Sequence, residues 1–306
     1  MPDQPSYMAL LPEEATASLA RLEFLARGKK LGGINGRHNS PKKGTSVEFA
    51  EHRQYTQGDD LRNLDWRAYG KSDRYYIKQY AEETNLRATI VLDASGSMAY
   101  RGDLASKVNG NPVSKFEQGR YLAAALAHLF SRQQDATGLV TFDTKIISYH
   151  RAAARQSQTH QILTELYKTE PSGETALAPI LHEVAERIPQ RGLVILISDL
   201  FDDPAEILEA LHHFRYRNHE LVIFHTMAEE ELSFPFKKFS KFSNLENRNQ
   251  RIRVEPETIR ATYLEKIRAF IEQISSGCGK LHADYVPLNT KQNYEQVISN
   301  YLSQRR

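Results

Sequence analysis

The 306-residue chain contains a single cysteine, Cys278. An internal disulfide is therefore impossible, and a cysteine-rich zinc site is excluded. The cytoplasm, a reducing compartment, is the simplest expected location. Long apolar runs are missing as well. The longest, such as 192–197, fall far short of the roughly 18 residues that span a bilayer, so no membrane span is expected. Met1-Pro2-Asp3-Gln4-Pro5 shows no basic start leading into an apolar stretch, so no signal peptide is read. Nor is there a large charge of one sign: 40 basic residues face 38 acidic ones, a net charge of +2. Nucleic acid is therefore not an expected partner. One stretch departs from this balance. Residues 27–43 carry Arg27, Lys29, Lys30, Arg37, Lys42 and Lys43, with no acid among them. It reads as a solvated segment, with contact to phosphate or an acidic protein as the alternative.

What is present is the ordinary balance of a soluble globular chain, 40% hydrophobic and 25% charged. At about 150 residues per domain the length allows one large domain or two small ones. From about residue 86 strand-like and helix-like segments alternate. Short apolar, β-branched runs at 88–92, 138–142, 193–197 and 220–224 read as buried strands. Residues 145–149 pair with the second of these as a hairpin, and a short strand follows at 283–286. Ser114 and Glu117 form a capping box that opens a helix to about Phe130. Further helices are expected at 158–168, 176–188, 204–216 and 294–304. Another starts near Pro256 and stops before Gly277 and Gly279. This alternation implies parallel βαβ units. The expected fold is a three-layer α/β domain over 86–306, its mainly parallel central sheet flanked by helices on both faces. Ile90, Val91, Val194, Leu196 and Val222 should be buried. The segment 1–85 differs in composition and is expected to pack on that domain, with a helix at about 13–26, possible strands at 49–55 and 75–80, and a possible edge hairpin linking 77–80 to the first buried strand.

In an open α/β sheet, ligands sit where the loops converge at the C-terminal strand ends. There the sequence places Asp93-Ala94-Ser95-Gly96-Ser97, Asp143, Ser172-Gly173-Glu174-Thr175, Ser198-Asp199, Asp202 and Asp203. Carboxylates and hydroxyls without cysteine select a hard cation, Mg²⁺ or Mn²⁺ ahead of Ca²⁺. In Asp93-x-Ser95-x-Ser97, alternate residues after a strand end can face one centre. The bland alternative is a strand-to-helix turn whose side chains bond only to backbone amides. His212, His213 and His225 lack the i, i+4 spacing of helix-borne ligands and read as surface or core residues.

Asp93-x-Ser95-x-Ser97 with Thr175 and Asp199 resembles the metal-ion-dependent adhesion site of von Willebrand factor A domains. Upstream, residues 44–55 and Gly58-Asp59-Asp60-Leu61-Arg62-Asn63-Leu64-Asp65-Trp66 resemble the signature of the bacterial family called domain of unknown function 58. Residues 78–82 and Lys115-Phe116-Glu117 fit it too, and the resemblance covers about 20–303. It implies a von Willebrand A-like (Rossmann-like) fold and a metal site of Asp93, Ser95, Ser97, Thr175 and Asp199. It also implies a MoxR-type AAA+ ATPase as partner, in an adaptor or co-chaperone-like role. Many members carry N-terminal membrane helices and a β-rich domain that this sequence does not show. Arg53, Asp59, Asp60, Arg62, Asp65 and Trp66 are expected to form a buried ion-pair and stacking network, with a partner-contacting surface as the alternative.

Enzyme motifs fail on inspection. Gly70-Lys71-Ser72 mimics the end of a P-loop, but Asp65 stands where its first glycine belongs. Ala94-Ser95-Gly96 is not a nucleophile elbow. Two functions remain. The first is a divalent-cation-dependent module that captures a carboxylate of a protein partner. The alternative is a metal-dependent hydrolase acting on a phosphoester, for which Asp143, Glu174, Asp202 and Asp203 are the base candidates. A deep pocket beside the cation favours the hydrolase, and a flat rim the binding module.

Overall fold

The computed structural model describes residues 10–12, 16–17, 19–20, 22–24, 48–57, 59, 64–81, 86–108, 110–173, 176–237, 240–243 and 251–305. It divides into two compact units, residues 25–86 and residues 1–24 with 87–306.

In the smaller unit β1 (Glu48–Gln54), α1 (Trp66–Ser72) and β2 (Tyr76–Ala81) follow in order. β1 and β2 pair antiparallel. The edge hairpin expected between 77–80 and the first buried strand is therefore corrected: β2 takes its partner from within its own unit. The expected buried network is corrected as well. Trp66 is 67% exposed. Of its expected pairs, Arg53–Asp59 forms among the described residues, with the Arg53 side chain 38% exposed. Asp59 accepts from the Arg53 guanidinium at 2.5 Å and from the Thr56 amide at 2.8 Å. Asp65 takes His52 at 2.7 Å and caps α1 through the Arg67 and Ala68 amides. Asp60 and Arg62 lie outside the described residues, as does the basic stretch 27–43.

The larger unit continues with β3 (Arg87–Asp93), a 3₁₀ turn (Gly96–Ala99), the short strands β4 (Lys107–Val108) and β5 (Asn111–Pro112), and α2 (Lys115–Arg132). Then come β6 (Ala136–Phe142), β7 (Ile146–Ala153), α3 (Gln156–Lys168) and α4 (Leu177–Arg187). β8 (Leu193–Ser198), α5 (Pro204–Tyr216), β9 (Glu220–Met227) and α6 (Glu229–Ser233) follow. The chain closes with β10 (Ser240–Ser243), β11 (Arg251–Val254), α7 (Pro256–Lys280), β12 (Asp284–Asn289) and α8 (Tyr294–Gln304).

Six strands form the central sheet in the order β12-β9-β8-β3-β6-β7. All pairs are parallel except the β6–β7 hairpin. The expected strand residues Ile90, Val91, Val194, Leu196 and Val222 are at most 2% exposed. Burying such a side chain contributes about 1.5–3 kcal/mol, so the apolar strands carry the sheet without ion pairs. On one face Val91, Val194, Leu196 and Ile223 share a core with Leu181 of α4, Phe214 of α5 and Ile274 of α7. The alternate residues Leu92 and Ile197 face the other way, against α2. A methyl group on Gly119 of that helix would fall 3.1 Å and 2.9 Å from their side chains. Helices therefore cover both faces of a mixed α/β domain.

Residues 19–24 belong to this unit, whereas the sequence grouped all of 1–85 together. Arg132 donates to the carbonyls of Leu19 and Ala20, and the Gln133 amide bonds both backbone groups of Phe24. Of the helix expected over 13–26, Thr16, Ala17 and Leu19 are helical among the described residues.

α7 does not stop before Gly277 and Gly279 but runs through both to Lys280. The reason is tertiary. A methyl at Gly277 would meet Leu208 of α5 at 2.4 Å, so this glycine lets two helices approach rather than ending one. Gly138 on β6 is equally constrained, with a methyl there falling 2.6 Å from the His150 carbonyl oxygen. That neighbour is backbone in the paired strand and cannot swing aside. Gly138→Ala is expected to cost about 1–3 kcal/mol, a melting-temperature drop of several degrees in calorimetry. An unchanged melting temperature would contradict the β6–β7 register.

Candidate functional site

β3 lies at the point where the sheet order turns, with β8 on one side and β6 on the other. Loops after these strands leave in different directions and open a crevice at their C-terminal ends. Asp93 is the last residue of β3 and is fully buried. Its Oδ1 accepts from the Ser95 amide at 2.9 Å, and its Oδ2 from the Ser198 hydroxyl at 2.6 Å. Among the described residues no lysine, arginine or histidine forms an ion pair with it. Burial, and then the charge of Asp199, push the Asp93 carboxyl up to about 7, against the pull of Ser198 and Ser95.

Ser95 and Ser97 follow on the 3₁₀ turn, with their hydroxyl oxygens 3.0 Å apart. The loop holding Ser172 and Gly173 is stitched to this turn. The Ser172 amide donates to the Ala94 carbonyl at 2.9 Å, and the Gly96 amide to the Gly173 carbonyl at 3.0 Å. Thr175 and Glu174, further along that loop, lie outside the described residues.

Asp199 follows β8 and is 4% exposed. Leu200 beside it takes a left-handed backbone, φ 54°, which a leucine adopts only under constraint from its surroundings. The Asp199 Oδ2 accepts from Lys115 Nζ at 2.7 Å. The same ammonium donates to Glu231 Oε1 at 2.8 Å. Burial alone would lower the Lys115 pKa, but Asp199 and Glu231 more than reverse it and hold the group charged. Sequence reasoning missed this triad because its members are 84 and 116 residues apart. One local signal was available: a lysine in the first turn of a helix faces the wrong end of the dipole, which invites a search for nearby acids.

His225 is also held here, by Tyr285 at Nδ1 (2.6 Å) and the Asp199 carbonyl at Nε2 (3.0 Å). Burial pushes it down to about 4, so it is neutral at pH 7. A carbonyl can only accept, so Nε2 carries the proton and Nδ1 receives the tyrosine hydroxyl. Neither nitrogen is left for a metal. His213 meets His182 at 3.2 Å between their Nδ1 atoms.

The remaining acids serve the backbone. Asp143 accepts from the Lys145 amide, Asp202 from the Leu177 and Asp203 amides, and Asp203 caps α5. Among the described residues no three His, Cys, Asp or Glu side chains gather as a ligand cluster. Asp93 and the hydroxyls of Ser95 and Ser97 share one strand end and turn, and Asp199 is near enough for its charge to act on Asp93, its own oxygens being held by Lys115 and the Phe201 amide. That set suits Mg²⁺ or Mn²⁺ rather than a softer metal. A cavity of about 430 Å³ opens beside Asp199, walled by Phe201, Met227, Tyr263, Ile267 and Phe270, with Lys115 and Glu231 also lining it.

The family described as protein of unknown function DUF58 matches residues 51–272. The chain belongs to this family. The DUF58 match runs from within the smaller unit through five of the six sheet strands. Among known proteins this DUF58 chain is similar to uncharacterized protein Rv1480 of Mycobacterium tuberculosis. The two are 25% identical over 226 residues, 72% of this chain and 67% of that one. It is equally similar to uncharacterized protein Mb1516 of Mycobacterium bovis, again at 25% identity. Among solved structures it is similar to an aerotolerance-related membrane protein from Bacteroides fragilis, with a TM-score of 0.47 at 14% identity, covering 72% of this chain and 100% of that one. Conserved hypothetical protein BatB from Bacteroides thetaiotaomicron gives 0.47 at 15% identity, covering 72% and 98%. Among the described residues no helix is long and apolar enough to cross a membrane.

Proposed function

We propose that this DUF58 chain is a divalent-cation-dependent protein-binding module on a von Willebrand A-like domain. In this reading Asp93, Ser95, Ser97, Thr175 and Asp199 hold Mg²⁺ or Mn²⁺ and leave a position open to a partner carboxylate. The proposed partner is a MoxR-type AAA+ ATPase, and the proposed setting is cytoplasmic. The observation that carries this reading is Asp93: a fully buried carboxylate at the switch point of the sheet, held only by hydroxyl and amide donors. A carboxylate buried without a cation is costly unless something else neutralises it. When bound, the metal supplies positive charge there and a Lewis-acidic position for an anionic oxygen. Asp93 and Asp199 would neutralise it, the two serine hydroxyls would orient it, and the nearby acids Asp202 and Asp203 would repel an anionic partner from the unloaded site.

The cavity beside Asp199 gives the hydrolase reading its one favourable observation, since depth next to the metal is what an enzyme needs. Its walls argue the other way. They are largely apolar and aromatic, and would suit an apolar side chain next to the partner's carboxylate better than a phosphoester. The base candidates that are described, Asp143, Asp202 and Asp203, are engaged with backbone amides.

Calorimetric titration of the full chain with a purified MoxR-type ATPase tests the binding reading. EDTA, or Asp199→Ala in Mg²⁺, is expected to weaken binding at least tenfold, about 1.4 kcal/mol. Equal affinity with and without the metal would remove coordination as the mechanism.

A further inference from the structure

Lys115 occupies a poor position for a cation. It is the first residue of α2, where the helix dipole is positive, and its side chain is 3% exposed. Two carboxylates hold it there, Asp199 at 2.7 Å and Glu231 at 2.8 Å. Glu231 is itself anchored, since its other oxygen accepts the Ala228 amide at 2.7 Å and caps α6. The other oxygen of Asp199 accepts from the Phe201 amide at 3.3 Å, so among the described residues the Lys115 ammonium is the cation that holds this carboxylate.

We propose that Lys115 is the built-in competitor of the cation site, its ammonium taking the Asp199 carboxylate that a divalent ion needs and keeping Glu231 as its berth when the ion loads. The proposal rests on the metal reading above and adds a control to it. Loading requires the Lys115–Asp199 contact to break, so the lysine lowers affinity. Glu231 works in the opposite direction: it gives the displaced ammonium a buried partner, and so favours loading. Lys115 and Glu231 both line the apolar cavity, so the exchange alters the cavity lining where a partner's side chain would enter. An unloaded site is thus closed by its own lysine as well as by repulsion.

Isothermal titration of the full chain with MnCl₂ at pH 7.5 tests this, with folding of every variant checked by circular dichroism. Lys115→Met should bind Mn²⁺ at least tenfold more tightly than the parent. Glu231→Gln should bind it at least threefold more weakly, because the ammonium then has only Asp199. These opposite signs keep the test decisive if Lys115→Met fails to fold, since Glu231→Gln alone still has a predicted direction. A parent that binds weakly or not at all beside a Lys115→Met variant that binds well would support the proposal in its strongest form. If the parent binds and Lys115→Met binds no more tightly, or Glu231→Gln binds no more weakly, the competitor role is overturned while the site stands. If neither the parent nor Lys115→Met binds Mn²⁺, the metal reading itself falls and the proposal with it.

Discussion

Asp93→Asn should raise the melting temperature of the metal-free protein at pH 8 and at the same time abolish its response to Mg²⁺. Both effects follow from the burial of the carboxylate. Its pKa is pushed from 3.8 up to about 7 by burial and by Asp199. Between those two values the folded protein holds a proton that the unfolded chain has released. Stability therefore falls as pH rises from about 4 to about 7, and the whole penalty is present above that. A shift of this size corresponds to at most about 4 kcal/mol. An asparagine keeps the shape: its oxygen can accept the Ser95 amide and its nitrogen can face Ser198, without the charge. The expected gain in EDTA is several degrees at pH 8 and close to nothing at pH 4, read by scanning calorimetry. A lower melting temperature for Asp93→Asn at pH 8 would mean that the charge supports the fold, contrary to the account.

The second large effect lies at the C-terminal end of α8. The Arg305 side chain is 2% exposed. Its guanidinium donates to Asp284 at 2.8 Å and also to Glu220 and Tyr301. It stacks 4.4 Å above the Phe24 ring. One side chain thus ties β9, β12, α8 and residues 19–24 together. Removing one member of a buried pair leaves its acids uncompensated, which costs about 3–5 kcal/mol. Arg305→Ala should accordingly lower the melting temperature by about 10 °C or unfold the chain at 37 °C. Arg305→Lys keeps the charge but loses the flat fork and the stacking, so it should fall between the two. An Arg305→Ala variant as stable as the parent would show that the network contributes nothing.

Much of the fold was legible because its signals are local. The strand runs 88–92, 193–197 and 220–224 are apolar apart from Thr89 and Glu220, as burial on both faces demands. The Ser114–Glu117 capping box forms with both halves present, the Ser114 amide donating to Glu117 at 2.7 Å and the Glu117 amide to Ser114 at 3.1 Å. Features set by distant partners were not legible. Gly277 reads locally as a helix end, yet its purpose is the approach of Leu208 across two helices. Trp66 reads as a buried anchor by size alone, yet it is exposed. At the site, Asp93, Ser95 and Ser97 alternate within five residues from the end of β3, so their clustering could be anticipated. Lys115 and Glu231 come to Asp199 only through tertiary packing, and no spacing in the chain announces them.

The central claim is the proposal that Asp93, Ser95, Ser97, Thr175 and Asp199 belong to one divalent-cation site. Electron paramagnetic resonance of Mn²⁺ tests it most directly, because protein-bound Mn²⁺ leaves the sharp signal of the free ion. The account predicts that the full Lys115→Met chain removes one equivalent of the free Mn²⁺ signal and the parent no more than that, that Mg²⁺ in excess restores it, and that Asp93→Asn removes none. A free signal untouched by the parent and by Lys115→Met, or removed equally well by Asp93→Asn, would contradict the account.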